Sequence, residues 1–242
     1  MRDGELDDIL KKAAQAQPDP DPALLNRIAA SIRPDMRPVR PLPPSWVLRS
    51  ALMAICIGIA AAGATRLGFA GSHAMNSTQK LVFPALIGFI LAAAAAWTAE
   101  MIPGSKRHEA PWNVLCGAIF TLFALFPTLF HDHHTEHFVG AGLACLIAGL
   151  VNAIPIGLAG WWLMRRGFSV NPKEAALAAG TLAGLGGILM LELHCPNFQL
   201  MHLLVWHTAV VPVSAALAVL TVRLAGRRAS ARGGPGTSHR SE

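Results

Sequence analysis

The chain has 242 residues, of which 53% are hydrophobic and only 14% are charged, and its formal net charge is +6. Soluble globular domains carry about 25% charged residues, so this composition excludes an ordinary water-soluble domain. The basic residues lie between long apolar blocks, which indicates a membrane protein rather than a nucleic-acid-binding one.

The first 45 residues are polar and Pro-rich, and they lack the apolar core of a signal peptide. We therefore expect this segment to stay in the cytosol. Helical periodicity predicts one helix over Glu5–Gln17 and a second over Ala23–Ile32, separated by alternating Pro and Asp. The apolar residues of the second helix share one face, which consists of Leu24, Leu25, Ile28 and Ile32.

A linker of residues 33–44 follows, and its five prolines favour an extended conformation. Residues 1–45 are too few to form a hydrophobic core of their own. We expect this segment to fold on a partner, with the apolar face of its second helix in a groove of that partner.

Six apolar blocks follow the linker, and each is long enough to cross a bilayer core of about 30 Å as a helix. We place the spans at 46–65, 81–99, 112–130, 138–164, 174–193 and 202–222. The predicted fold class is therefore all-α, a six-helix transmembrane bundle with a short cytosolic helical and Pro-rich segment. The predicted organisation is a cytosolic segment at 1–45, a transmembrane domain at 46–224 and a disordered cytosolic tail at 225–242.

The distribution of basic residues predicts the orientation of the bundle. Of the 20 Lys and Arg residues, all but Arg66 and Lys80 lie on the side of the N-terminal segment. This bias over short loops puts both termini in the cytoplasm and requires an even number of spans. The dense Ala and Gly residues of the spans are typical of close helix packing in a bilayer.

The predicted outward ends of the spans gather possible metal ligands. The third connection, His131–His137, contains four histidines. The fifth contains Glu192, His194 and Cys195, with His202 and His207 just beyond in the sixth span. Imidazole and thiolate bind Zn²⁺, Cu⁺ or Ni²⁺, so a transition-metal site is one interpretation. A solvated polar loop is the other interpretation of the His131–His137 run.

Two cysteines lie in the outward half of the bundle. Cys145 is about seven residues into the fourth span, and Cys195 is at the end of the fifth. The compartment there permits disulfides, so the two thiols are candidates for a redox pair or for metal ligands. Both also fit as small buried hydrophobes, which is the interpretation we give to Cys56 and Cys116.

From Cys145 through Arg223, the chain resembles the NrsF-type membrane anti-sigma factors. The resemblance rests on Cys145-Leu146, Pro155 in mid-span, Arg165-Arg166-Gly167, His194-Cys195-Pro196 and Val205-Trp206-His207. Arg37-Pro38-Val39-Arg40-Pro41-Leu42 also resembles the juxtamembrane motif of that family. The family usually has Tyr where this chain has His207, and its members are not known to carry the His131–His137 run.

The resemblance implies a six-span regulator in the bacterial inner membrane that holds an extracytoplasmic-function (ECF) sigma factor there through its N-terminal segment. The sigma-binding residues would then be Leu24, Leu25, Ile28, Ile32, Arg37, Pro38, Val39 and Arg40. The family's membrane-embedded cysteine pair would correspond to Cys145 and Cys195. With His194 and His202 nearby, this pair is our predicted sensor of a redox or metal signal.

A metal-ion or small-solute transporter using the same His and Cys residues is the alternative function. A permease is expected to place ionisable residues near the bilayer midplane, where these spans carry almost none, so the sensor is favoured. The sequence contains no catalytic constellation, so we do not expect an enzyme. The expected partners are a sigma factor and the lipid bilayer, without direct nucleic-acid binding or an evident organic substrate.

Overall fold

A computed structural model describes residues 8, 11–12, 21–32, 43–101, 110–135, 137–164 and 171–232 of the chain. The chain divides into two compact units, Met1–Pro41 and Leu42–Glu242. Most of the predicted helix Glu5–Gln17, the linker from 33 to 42, and the end of the tail from 233 lie outside the described residues.

In the first unit, helix α1 covers Pro22–Ile32. Its start follows from the sequence, because the Asp21 carboxylate accepts a hydrogen bond of 2.9 Å from the Ala23 N–H. Pro22 occupies the first helical position, where no backbone donor is needed. The described side chains of this helix are exposed along its length.

The described residues of the second unit include six helices long and apolar enough to cross a membrane, and no strand. This confirms the predicted fold class. The first five spans are α2 (Ser45–Leu67), α4 (Val82–Glu100), α5 (Ala110–Leu129), α6 (Phe138–Met164) and α7 (Pro172–His194). A short helix α3 (Ala70–Ala74) and a 3₁₀ turn (Gln79–Leu81) connect α2 to α4.

The sixth span is a continuous helix made of three parts. It begins with a single turn, α8 (Leu200–His202), continues through a π-helical segment (Leu203–His207), and ends in α9 (Thr208–Arg232). In the π-helical segment the Thr208 N–H bonds to the Leu203 carbonyl, five residues earlier. The helix continues well past the predicted end at residue 222, into a polar stretch that does not need lipid contact.

Helix α7 is the centre of the bundle. In its most apolar window 89% of the residues are buried, against 28–44% in the other spans. Its glycines allow this central position: a Cβ at Gly184 would lie 2.7 Å from Val211 Cα, and one at Gly187 would lie 2.6 Å from the Gly149 carbonyl oxygen. The Ala- and Gly-rich sequence of α7 therefore packs its backbone directly against α9 and α6.

Candidate functional site

A cluster of thiols and imidazoles lies where α7 ends and the sixth span begins. It consists of Cys145 on α6, Cys195 immediately after α7, and His202 and His207 on the sixth span. One possible ligand atom from each residue lies within 4.8 Å of the other three. We call these four residues the Cys/His cluster. Cys145 is partly exposed and the other three are buried.

The two cysteines of the cluster come from different helices and meet across the α6–α7 interface. Their Sγ atoms are 3.6 Å apart, and Cys195 Sγ is 3.7 Å from Nε2 of His202. All four cysteines of the chain lie among the described residues, and each is an unbridged thiol. The pair is thus close enough for a disulfide to form after a small movement, or for one ion to bind both sulfurs. Cys56 is buried, as predicted, but Cys116 lies on an exposed face of α5, so the prediction of a buried hydrophobe is wrong for Cys116.

The π-helical segment explains how two histidines of the sixth span reach the same place. His202 and His207 are five residues apart, which in an α-helix would turn their side chains about 140° away from each other. A π-helical turn closes after five residues, so it puts them on the same side. Their ring centroids are 5.1 Å apart. Single π-helical turns often occur at functional sites, and here one builds half of the cluster.

A buried carboxylate fixes the orientation of His207. Nδ1 of His207 donates a hydrogen bond of 2.7 Å to Glu192 Oε1, and both side chains are fully buried. The other ring nitrogen of His207, Nε2, has no hydrogen-bond partner, nor does Nδ1 of His202. Buried polar atoms are nearly always partnered, so these two nitrogens indicate a site built for something further.

Of the predicted sensor residues, the structure brings Cys145, Cys195 and His202 together, but it puts His194 elsewhere. The Nδ1 of His194 donates to the Gly68 carbonyl at the end of α2, at 3.1 Å. His194, the last residue of α7, therefore connects that helix to the end of α2, and His207 completes the cluster with Cys145, Cys195 and His202.

The His131–His137 run forms a loop beside the cluster rather than a part of it. Asp132 and Gln199 form an isolated parallel β-bridge, in which the Asp132 carbonyl accepts a hydrogen bond of 2.7 Å from the Leu200 N–H. The described histidines of the loop are exposed and make short-range contacts. The backbone N–H and the side chain of His134 hydrogen-bond to the Asp132 carboxylate and lower its pKa. Glu136 lies outside the described residues.

The predicted sigma-binding residues are described only in part. Leu24, Leu25 and Ile28 share a face of α1 and are 45–48% exposed. The side chain of Ile32 lies outside the described residues. The same is true of the whole juxtamembrane run, which contains Arg37, Pro38, Val39 and Arg40.

The sequence places Glu192 and His207 among the possible outward metal ligands, but the predicted sensor site includes neither of them. The spacing of five residues between His202 and His207 hides their proximity unless the π-helical turn is known. The position of Glu192 is the clearer indication of a buried polar site, because a carboxylate at the end of an apolar span needs a partner. An imidazole on the next span is the natural partner for it.

The six long apolar helices among the described residues are those of a multi-pass α-helical membrane protein, and the Cys/His cluster lies at one end of them. Residues 33–227, most of the chain, match the family described as NrsF, negative regulator of sigma F. The chain belongs to this family, and its role is that of a negative regulator of a sigma factor, with that factor as its partner. No curated protein and no solved structure matches the chain.

Proposed function

We propose that the protein sequesters an ECF-type sigma factor at the bacterial inner membrane and releases it in response to an envelope signal. In this proposal the N-terminal segment binds the sigma factor, and Cys145 and Cys195 receive the signal, which is a metal or an oxidant. The observation that carries the proposal is the pair of unbridged thiols, 3.6 Å apart, in a protein of the sigma-regulator family.

The exposed face of α1 supports the first half of this proposal. Leu24, Leu25 and Ile28 are large apolar side chains, each nearly half exposed, on an 11-residue helix. So short a helix gains little stability alone in water, and an apolar stripe on it is suited to a groove in a protein partner. The linker would give this helix the reach to bind a sigma factor in the cytosol while the chain stays in the membrane.

Replacing Leu25 and Ile28 together by Asp is expected to abolish co-purification of the sigma factor with the detergent-solubilised protein. The substitutions put two charges on the apolar face, where a buried groove contact would have to desolvate them. Transcription of the sigma-dependent genes should rise to the level seen without the regulator. The matched control is Asn26→Asp with Ala30→Asp, which also adds two charges to the exposed surface of α1. If the Leu25/Ile28 variant retains the sigma factor as the control does, this face is not the binding surface.

The topology in this proposal follows from charge. The basic residues around the start of α2, the α4–α5 connection, the α6–α7 connection and the C-terminal tail would all face the cytoplasm. The Cys/His cluster lies at the opposite ends of the helices and would then face the periplasm, where oxidants and metal ions from outside arrive first.

Fusions at two positions test this topology. Alkaline phosphatase fused after Arg232 is expected to be inactive, and a fluorescent protein at the same point is expected to be bright, because the tail is cytoplasmic. Phosphatase inserted after His133, in the loop beside the cluster, should be active. The opposite pattern at either site contradicts the six-span orientation.

A route from the cluster to the N-terminal segment is available through α2. His194 is adjacent to Cys195 and bonds to the last turn of α2 through the Gly68 carbonyl. Along the helix, a Cβ at Gly63 would lie 2.5 Å from Asn152 Oδ1 and 2.9 Å from Met190 Cγ, so α2 packs tightly on α6 and α7. Because α2 continues in sequence into the linker, we infer that a shift of α6 against α7 reaches the sigma-binding helix through α2.

A further inference from the structure

We propose that the Cys/His cluster is a four-ligand site for a divalent, thiophilic metal ion of the Zn²⁺ type, completed by His207 and oriented by Glu192. This inference deepens the proposed function, on which its role as a sensor rests, because it names the ligand and adds two residues to the site. The two sulfurs and two imidazole nitrogens make an S₂N₂ donor set, for which tetrahedral Zn²⁺ is the usual occupant.

The distances in the cluster fit such an ion. Zn–S bonds of about 2.3 Å and Zn–N bonds of about 2.0–2.1 Å at tetrahedral angles separate neighbouring ligand atoms by about 3.3–3.8 Å. The Cys145 Sγ–Cys195 Sγ separation is 3.6 Å, and the Cys195 Sγ–His202 Nε2 separation is 3.7 Å. Both distances match edges of a tetrahedron around one ion, and the remaining ligand atom, on His207, lies within 4.8 Å of the other three.

The hydrogen bonding of His207 supports its role as a ligand. Metal-bound histidines usually donate their second N–H to a carboxylate, which fixes the tautomer and the ring orientation. Nδ1 of His207 donates to Glu192 at 2.7 Å, and this leaves the unpartnered Nε2 for the ion. Both residues are completely buried, so a surface role does not account for them.

Charge favours a divalent ion over a monovalent one. Two thiolates neutralise a charge of +2, and the Glu192 carboxylate would then leave the buried site with one net negative charge. A monovalent ion such as Cu⁺ would leave two, at greater cost in a low-dielectric interior. On binding, the S–H bonds of both cysteines break, their protons go to bulk water, and each sulfur lone pair forms a bond to the metal in place of a water ligand. The reaction involves no change of oxidation state.

The test is metal binding to the reduced, detergent-solubilised full-length protein. Zn²⁺ is titrated in competition with a chromophoric chelator, and Co²⁺ is used separately as a spectroscopic probe of sulfur ligation. We expect one ion per chain, release of two protons, and an intense sulfur-to-Co²⁺ absorption band. The Cys145→Ser and Cys195→Ser variants should lose the site.

The variants at His207 and Glu192 decide whether these two residues belong to it. We expect His207→Asn and Glu192→Gln each to weaken Zn²⁺ binding about 10–100-fold or more. Cys116→Ser is the matched control and should bind as the unaltered protein does, since Cys116 lies outside the cluster.

A single symmetric peak in size-exclusion chromatography, with the helical circular dichroism of the unaltered protein, shows whether each variant still folds. Zn²⁺ binding that is unchanged in a folded His207→Asn variant would overturn the four-ligand site. Binding no tighter in the unaltered protein than in the double Cys→Ser variant would overturn the metal site altogether. If an oxidant still releases the sigma factor in that case, the proposed function survives without the metal. If Zn²⁺ binds as expected but neither metal nor oxidant releases the sigma factor, the site stands and the sensor function fails.

Discussion

Gly184→Ala is expected to destabilise the bundle by about 1–3 kcal/mol, and Gly184→Leu is expected to prevent its assembly. A Cβ at this position would lie 2.7 Å from Val211 Cα and 3.0 Å from the Val210 carbonyl oxygen. These are backbone atoms, which cannot rotate away as the end of a side chain can. The α7 and α9 helices would have to move apart. This movement would also separate Cys195, which directly follows α7, from His207, which directly precedes α9.

The control for this prediction is Gly88→Ala on α4, where no heavy atom lies within 4 Å of the added Cβ. Alanine is a better helix former than glycine by about 1 kcal/mol, so the control should leave stability unchanged or raise it. Unfolding of both purified variants by titration of a micelle with a denaturing detergent gives the comparison. A loss of stability of equal size in both would show that helix propensity, not the close approach of α7 and α9, determines the outcome.

The close packing at Gly184 is also the part of the fold that the sequence could not predict. The spans could be predicted because a bilayer requires each helix to present about 20 apolar residues, and composition alone reveals this. The Gly and Ala residues of α7 showed that some helix must pack closely. They could not show that α7 is the central helix, because that depends on which neighbours it contacts at Gly180, Gly184 and Gly187.

The candidate site was predicted in part for a related physical reason. Cys145, Cys195 and His202 could be grouped because each lies near the same end of its span. His207 joins the cluster only because of the π-helical turn over Leu203–His207. This is a local change of the backbone that the periodicity of the sequence does not predict. Pro212 has no N–H to offer the carbonyl of Thr208, which relaxes the α-helical bonding just beyond the turn. This contribution of Pro212 becomes clear only once the turn is seen.

The described part of the apolar face of α1, formed by Leu24, Leu25 and Ile28, could be predicted from the sequence, because it depends only on one helix and its period. The capping by Asp21 and the start at Pro22 agree with the same short-range rules. The position of α1 on a sigma factor is a different matter, since it depends on the surface of a second protein.

Cys145→Ser and Cys195→Ser are each expected to eliminate the response of sigma-dependent transcription to metal or oxidant, and the double variant should be no worse than either single one. The reason is that a bond bridging α6 and α7 needs both sulfur atoms, whether it is a disulfide or a shared metal ion. A coupling of 1–3 kcal/mol between the cluster and the sigma-binding segment corresponds to a change in sigma affinity of about 5–150-fold. Losing either sulfur removes all of that change, so the two effects do not add.

A transcriptional reporter in cells, read with and without added Zn²⁺ or oxidant, measures these responses. Cys116→Ser is the matched control, because Cys116 is an exposed thiol on α5 outside the cluster, and its variant should respond normally. Serine keeps the size of the side chain but is a poor ligand for soft metals and cannot form a disulfide. Normal responses in both single variants, or effects that add in the double variant, would show that the two thiols only fill space between α6 and α7. Loss of the response in both single variants and in the double variant, with repression retained, would instead establish that the two sulfur atoms act together as the sensor.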